Sequence, residues 1–168
     1  MKTILLLRHG KSKRGPEYET DSERPLSRRG KRDAARVGEW IAEQGLIPDL
    51  VLCSPARRAR QTALQCAETA DYMGPIRFEG SLYFGGDDAY LELLRELDDT
   101  VDRVLFVGHN PDISAAVEAL SGEYADMPTA ALARIDVPLM RWSELAEGAD
   151  QGHPMGELAW VRGPRELA

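Results

Sequence analysis

Three stretches of the chain carry residue types suited to phosphoryl chemistry: Arg8-His9, the arginines Arg57, Arg58 and Arg60, and His109 within Gly108-His109-Asn110-Pro111. Arginine presents a planar fork of N–H donors that matches phosphate oxygens. Histidine offers a nucleophilic ring nitrogen with a pKa near neutrality. Two arginines and two histidines with no acidic neighbour make a site for a dianionic tetrahedral group, provided the fold brings the stretches together. Gly10 allows a sharp backbone turn beside a ligand. Gly10-Lys11-Ser12 looks like the tail of a P-loop, but that motif needs a glycine at position 5, where the chain has Leu5. The nucleoside triphosphatase class is excluded on that ground.

The elements that must position these groups follow from the hydrophobic pattern. Ile4 to Leu7 is a continuous apolar run, the mark of a strand buried on both faces of a parallel sheet. Arg8 and His9 follow directly, at the C-terminal sheet edge where open α/β folds bind ligands. Leu50 to Cys53 and Val104 to Val107 repeat the pattern and run into the arginine cluster and into His109. Lys11 to Arg24 reads as a surface loop made basic by Lys11, Lys13, Arg14 and Arg24. Pro25-Leu26-Ser27 opens a helix with Ser27 as N-cap and Gly45 at its end. Ser54 as N-cap and Pro55 in the first helical position open a second helix, to about Ala70, whose N-terminus faces an anion with free N–H groups. Arg57, Arg58 and Arg60 point in different directions around it, so at most one or two reach a common site. Further on we expect a strand at Ile76–Phe78, a loop over Gly80–Asp88, helices at Tyr90–Leu97 and Ile113–Leu120, and a turn at Met127–Ala130. Strands follow at Ala131–Asp136, Arg141–Leu145 and Glu157–Val161, with a Gly-rich loop over 148–156. Strands alternating with helices predict an α/β fold with a mostly parallel central sheet and helices on both faces, in which the three strand ends meet at one crevice.

Composition narrows the class. At 168 residues and 43% hydrophobic, the chain suits one globular domain over 1–168, without repeats or linkers. No apolar run approaches the roughly 20 residues of a membrane span, and Met1-Lys2-Thr3 leads into only four apolar residues, too few for a signal peptide. Cys53 and Cys66 make neither a disulfide framework nor a zinc site. A cytoplasmic protein is expected. The net charge of −7 argues against nucleic acid and anionic membrane partners, so an anion site must be a local positive pocket on an acidic body. Coiled-coil heptads are missing, which makes a monomer the expectation.

The segments LLRHGKS, SPARRARQTA and VGHNP resemble the signature of the histidine phosphatase superfamily, the phosphoglycerate mutase-like family. DSERPLSRRGKRDA and MPTAAL are similar to its SixA-type branch of small phosphohistidine phosphatases. The resemblance runs over residues 3 to 143 and implies a three-layer α/β/α sandwich. It also implies roles. His9 is the nucleophile, Arg8 holds the phosphoryl oxygens, Arg58 matches the arginine of S-P-x-x-R-A-x-Q-T, and His109 is the second histidine, donating to the transferring group. Lys11 and Ser12 are weaker candidates for a contact. Neither a metal nor a cofactor is implied. Larger members carry a carboxylate as general acid or base; Glu79, Asp87 and Asp88 lie in the matching region, but no motif selects one. A leaving imidazole needs less acid assistance than an alkoxide, which favours an N–P substrate. The expected function is metal-independent hydrolysis through a phosphohistidine on His9, the substrate being phosphohistidine in a protein. The alternatives are a small phosphate ester as substrate or a non-catalytic phosphate-binding module; a mutase is disfavoured by the short chain. His153, in a Gly-Pro loop, reads as an exposed side chain.

Overall fold

The computed structural model describes residues 1–145 and 154–167. Six strands form one sheet: β1 (Lys2–Arg8), β2 (Leu50–Cys53), β3 (Ile76–Phe78), β4 (Arg103–Gly108), β5 (Leu132–Val137) and β6 (Glu157–Arg162). Their order is β3-β2-β4-β1-β5-β6. The first four strands in that order run parallel, β5 pairs antiparallel with β1, and β6 pairs antiparallel with β5.

Period-two alternation along the strands explains why the sheet-forming runs are apolar throughout. Leu5, Leu7, Val51, Cys53, Leu105 and Val107 face one side, against α1 (Arg28–Glu43) and α2 (Arg57–Thr69). Ile4, Leu6, Leu52, Val104 and Phe106 face the other, against α3 (Asp87–Arg95) and α4 (Asp112–Ser121). All four residues from Ile4 to Leu7 are fully buried, and burial of each such side chain contributes about 1.5–3 kcal/mol. The result is the expected three-layer α/β/α sandwich with a mostly parallel sheet. Among the described residues no helix is long and apolar enough to cross a membrane. Cys53 and Cys66 are free and buried, and burial pushes the Cys66 thiol up to about 12.

Most elements lie within a few residues of their expected places; three differ. Ser27 caps α1 as expected, its Oγ accepting from the Gly30 N–H at 3.1 Å. Ser54 does not cap α2, which begins at Arg57 behind Ala56. The Ser54 Oγ instead accepts the Ala56 N–H at 3.2 Å in a local turn, and this delays the helix by two residues. The segment Arg141–Leu145, expected as a strand, contains a 3-10 turn at Trp142–Glu144. Trp142 pins it, the backbone N–H bound to Asp99 Oδ1 at 2.9 Å and the indole N–H to the Val101 carbonyl at 2.8 Å. The helix expected at Tyr90–Leu97 starts earlier, at Asp87, where two carboxylates in the first turn suit the helix dipole. Much of the Gly-rich loop over 148–156, and His153 within it, lies outside the described residues.

The chain just past β1 lies flat on the start of α1. Ser27 N–H donates to the Lys11 carbonyl at 2.8 Å. A Cβ on Gly30 would stand 2.1 Å from that carbonyl oxygen, and one on Gly10 would stand 2.8 Å from the Gly30 oxygen. Only glycine permits this approach of two backbones. Gly30→Ala is therefore expected to lower stability by about 1–3 kcal/mol, read as a fall in thermal midpoint, and to reduce turnover by displacing the segment that follows His9.

Candidate active site

β2, β4 and β1 are neighbours in the sheet, so their C-terminal ends deliver the three expected stretches to one place. The backbone bonding continues past the strands: His9 N–H donates to the Gly108 carbonyl and Ser54 N–H to the Val107 carbonyl, both at 3.0 Å. Arg8, His9, Arg58 and His109 all line one cavity of about 240 Å³, room for a phosphoryl group and part of its donor. Lys11, Ser12, Arg14, Asp21, Arg24, Phe84, Asn110 and Thr129 complete the lining. Of the three clustered arginines only Arg58 enters, and it is 2% exposed; Arg57 and Arg60 lie on the solvent side.

Both histidines are held in place by hydrogen-bond partners, and for His9 the partner also fixes the tautomer. His9 Nδ1 lies 2.7 Å from the Gly10 carbonyl, which can only accept, so the proton sits on Nδ1 and Nε2 is bare. Arg58 Nε donates to that Nε2 at 3.3 Å. Burial, countered by the Gly10 carbonyl and reinforced by His109, Arg58 and Arg8, brings the His9 pKa down to about 3. The His109 ring is centred 5.1 Å from the His9 ring. Its Nε2 lies 2.8 Å from Ser54 Oγ. The His109 Nδ1 and Arg8 Nε are buried without a hydrogen-bond partner among the described residues. Burial and the nearby Arg58 lower the His109 pKa to about 4, with Asp21 opposing. Arg8 is aimed by the Met127 carbonyl, which accepts from its Nη1 at 3.0 Å and also from Asn110 Nδ2 at 3.0 Å.

One expectation is overturned: the basic cluster does have an acidic neighbour. Asp21 Oδ2 pairs with Arg58 Nη2 at 2.9 Å and accepts from the Tyr83 hydroxyl at 2.7 Å, while Oδ1 pairs with Arg24 Nη2 at 3.0 Å. Partial burial pushes its pKa up, but Tyr83, Arg58 and Arg24 outweigh this and bring it to about 2. The carboxylate was missed because its loop reads as solvated polar sequence; the spacing of Asp21 three residues before Arg24 was the available signal. Glu79, Asp87 and Asp88 are not among the residues lining the cavity; Glu79 pairs with Arg77 at 3.1 Å instead. Tyr83 and Phe84 were also missed, since a Tyr-Phe pair in a Gly-rich loop carries no motif.

A family model for the histidine phosphatase superfamily, branch 1, matches residues 4–82. An uncharacterized protein of Mycobacterium leprae is 33% identical over 152 residues, covering 83% of this chain and 91% of its own. The chain belongs to the histidine phosphatase superfamily. Two solved structures, each described as a putative phosphohistidine phosphatase SixA, share its architecture. The protein from Nakamurella multipartitia superimposes with a TM-score of 0.82 at 26% identity, over 97% of this chain and 96% of its own. The one from Agrobacterium tumefaciens gives 0.80 at 27% identity, over 97% and 98%. This superfamily member is a phosphatase of the SixA type, and the cavity at its strand ends is the candidate seat of that activity.

Two tests follow from the electrostatics. In the unfolded chain both histidines titrate near 6.5, in the folded protein at about 3 and about 4. Below pH 6.5 the unfolded chain binds more protons, so the stability these histidines contribute is complete above that pH and is lost as pH falls. The loss is about 1.4 kcal/mol per pH unit for each. Thermal midpoints measured from pH 7 to pH 5 should therefore fall less steeply in His9→Gln and His109→Gln than in wild type. For Asp21, the carboxylate takes up positive charge that an incoming anion would otherwise meet. Asp21→Asn should lower the inhibition constant for inorganic phosphate several-fold; a rise would mean that Asp21 matters only for holding the loop.

Proposed function

We propose that this phosphatase is metal-independent and hydrolyses phosphohistidine carried by a protein, through a covalent phosphohistidine on His9. The observation that carries this reading is the bare His9 Nε2. The Gly10 carbonyl on the far nitrogen and burial beside three positive or polar groups keep it unprotonated, so that its lone pair meets only the 3.3 Å contact from Arg58 Nε, which an incoming phosphorus would displace. Arg8, Arg58 and His109 supply donors for the phosphoryl oxygens, the arrangement phosphoryl transfer requires.

In the first step His9 Nε2 forms a bond to phosphorus as the bond to the substrate's ring nitrogen breaks. The electron pair leaves with that nitrogen, and a ring already protonated on its other nitrogen departs as neutral imidazole. In the second step a water oxygen attacks the phosphorus, the pair returns to Nε2, and the water proton leaves with inorganic phosphate. Asp21 favours the N–P substrate over an ester. It is the carboxylate in the cavity lining, and three donors keep it ionised, so it has no proton for a leaving alkoxide. The two SixA structures, each described as a putative phosphohistidine phosphatase, support the same substrate class.

Turnover of a phosphohistidine protein and of p-nitrophenyl phosphate should be compared in EDTA. The expected result is preference for the N–P substrate, undiminished by the chelator, with acid-labile, base-stable phosphate trapped on His9. His9→Ala should lose at least about 10³-fold in turnover. Preference for the ester would move the substrate to a small metabolite, and binding without turnover or label would reduce the protein to a phosphate-binding module.

A further inference from the structure

The loop between β3 and α3 places an aromatic ring in the wall of the cavity. Phe84 lines the cavity and is 52% exposed, an unusual state for a large apolar side chain beside a charged site. Its ring stacks on His109 with centroids 5.1 Å apart and planes 27° apart. Its backbone is left-handed at φ 59°, a conformation bulky residues rarely adopt and one that persists only when the surroundings enforce it.

The enforcement is visible on both sides. Before it, Tyr83 is tied by its hydroxyl to Asp21 at 2.7 Å, and its ring packs against Phe84 at 4.8 Å and edge-on against His109 at 5.4 Å. After it, the Gly86 N–H is held by Asp112 Oδ2 at 3.1 Å. A strained backbone fixed at each end is a means of holding one side chain in place. That side chain has no polar group, so what it offers is a flat apolar face beside the phosphoryl site.

We propose that Phe84 is a specificity-determining residue, a platform for the planar ring that leaves from phosphorus, and that the ring it fits is the imidazole of phosphohistidine. This rests on the substrate class proposed above and deepens it. As the bond from phosphorus to the ring nitrogen breaks and the bond to His9 Nε2 forms, the departing neutral imidazole stays against the Phe84 face. A donor with the same N–P bond but no ring gains nothing from it.

The experiment compares kcat/KM for N-phosphorylimidazole and for phosphoramidate, two small N–P donors that differ in the ring. Intrinsic reactivity cancels when the ratio of the two is compared between variants. Phe84→Ala should lower the ratio about tenfold, the size of one lost ring–ring contact, and Phe84→Trp should retain it. Phe84→Leu keeps apolar cover over His109 while removing the aromatic face, so it should also lower the ratio, and it carries the test if the alanine variant folds poorly. If Phe84 merely shields His109, both donors slow together and the ratio stays constant, which overturns the inference. A wild type that turns over N-phosphorylimidazole with a ratio sensitive to Phe84, yet ignores a phosphohistidine protein, would sink the protein substrate and keep the platform. A wild type inert toward both N–P donors would overturn both.

Discussion

A bare nitrogen on a buried imidazole is the constraint on which the rest of this site depends. An imidazole in water carries a proton about half the time near pH 6.5. Here desolvation and surrounding positive charge remove it, and the Gly10 carbonyl decides which nitrogen keeps the remaining hydrogen. The same positive charge that keeps His9 neutral is what a phosphoryl dianion needs. In the proposed mechanism one arrangement thus serves both the attacking atom and the group it attacks. The cost is two neutral histidines in the core, whose contribution to stability is complete only above the pH at which the unfolded chain takes up protons.

Asp21 limits that positive charge. Without it, Arg58 and Arg24 would stand beside each other with no counter-ion. With it, three segments far apart in sequence are joined on one carboxylate: the loop after β1 through Asp21 and Arg24, α2 through Arg58, and the loop after β3 through Tyr83. The pairing also orients Arg58, whose Nη atoms meet Asp21 while Nε faces His9. The carboxylate therefore acts on geometry and field together.

Behind the site stands the sheet order. β2, β4 and β1 are adjacent, so Ser54, His109 and His9 are spaced by strand separation alone. Ser54 illustrates how tertiary contacts redirect a local preference. Its hydroxyl has the position and chemistry of a helix cap, yet it accepts from Ala56 and bonds to the His109 ring instead. The helix it would have capped starts two residues later, and the second histidine gains a fixed ring position.

The sequence by itself determined the layers and the principal members of the site. Apolar runs ending in Arg8-His9, Ser54 and Gly108-His109 are legible because a buried parallel strand must be apolar on both faces, and the first polar residues after it must lie at the sheet edge. Arg58 was separable from Arg57 and Arg60 by its match to the family motif, and its burial agrees. The tertiary structure alone decided which charges meet. Asp21, Tyr83 and Phe84 sit in loops whose polar or Gly-rich sequence carries no periodicity, and the contacts that bring them to the site, Asp21 with Arg58, Tyr83 with Asp21 and Phe84 with His109, join residues far apart in the chain. Arg141–Leu145 was misread for a related reason: the long-range anchoring of Trp142 by Asp99 and Val101 overrode local strand character. Hydrophobic periodicity is a local property and can be read along the chain, whereas the pairing of a loop carboxylate with a helix arginine exists only once the backbone has closed around both.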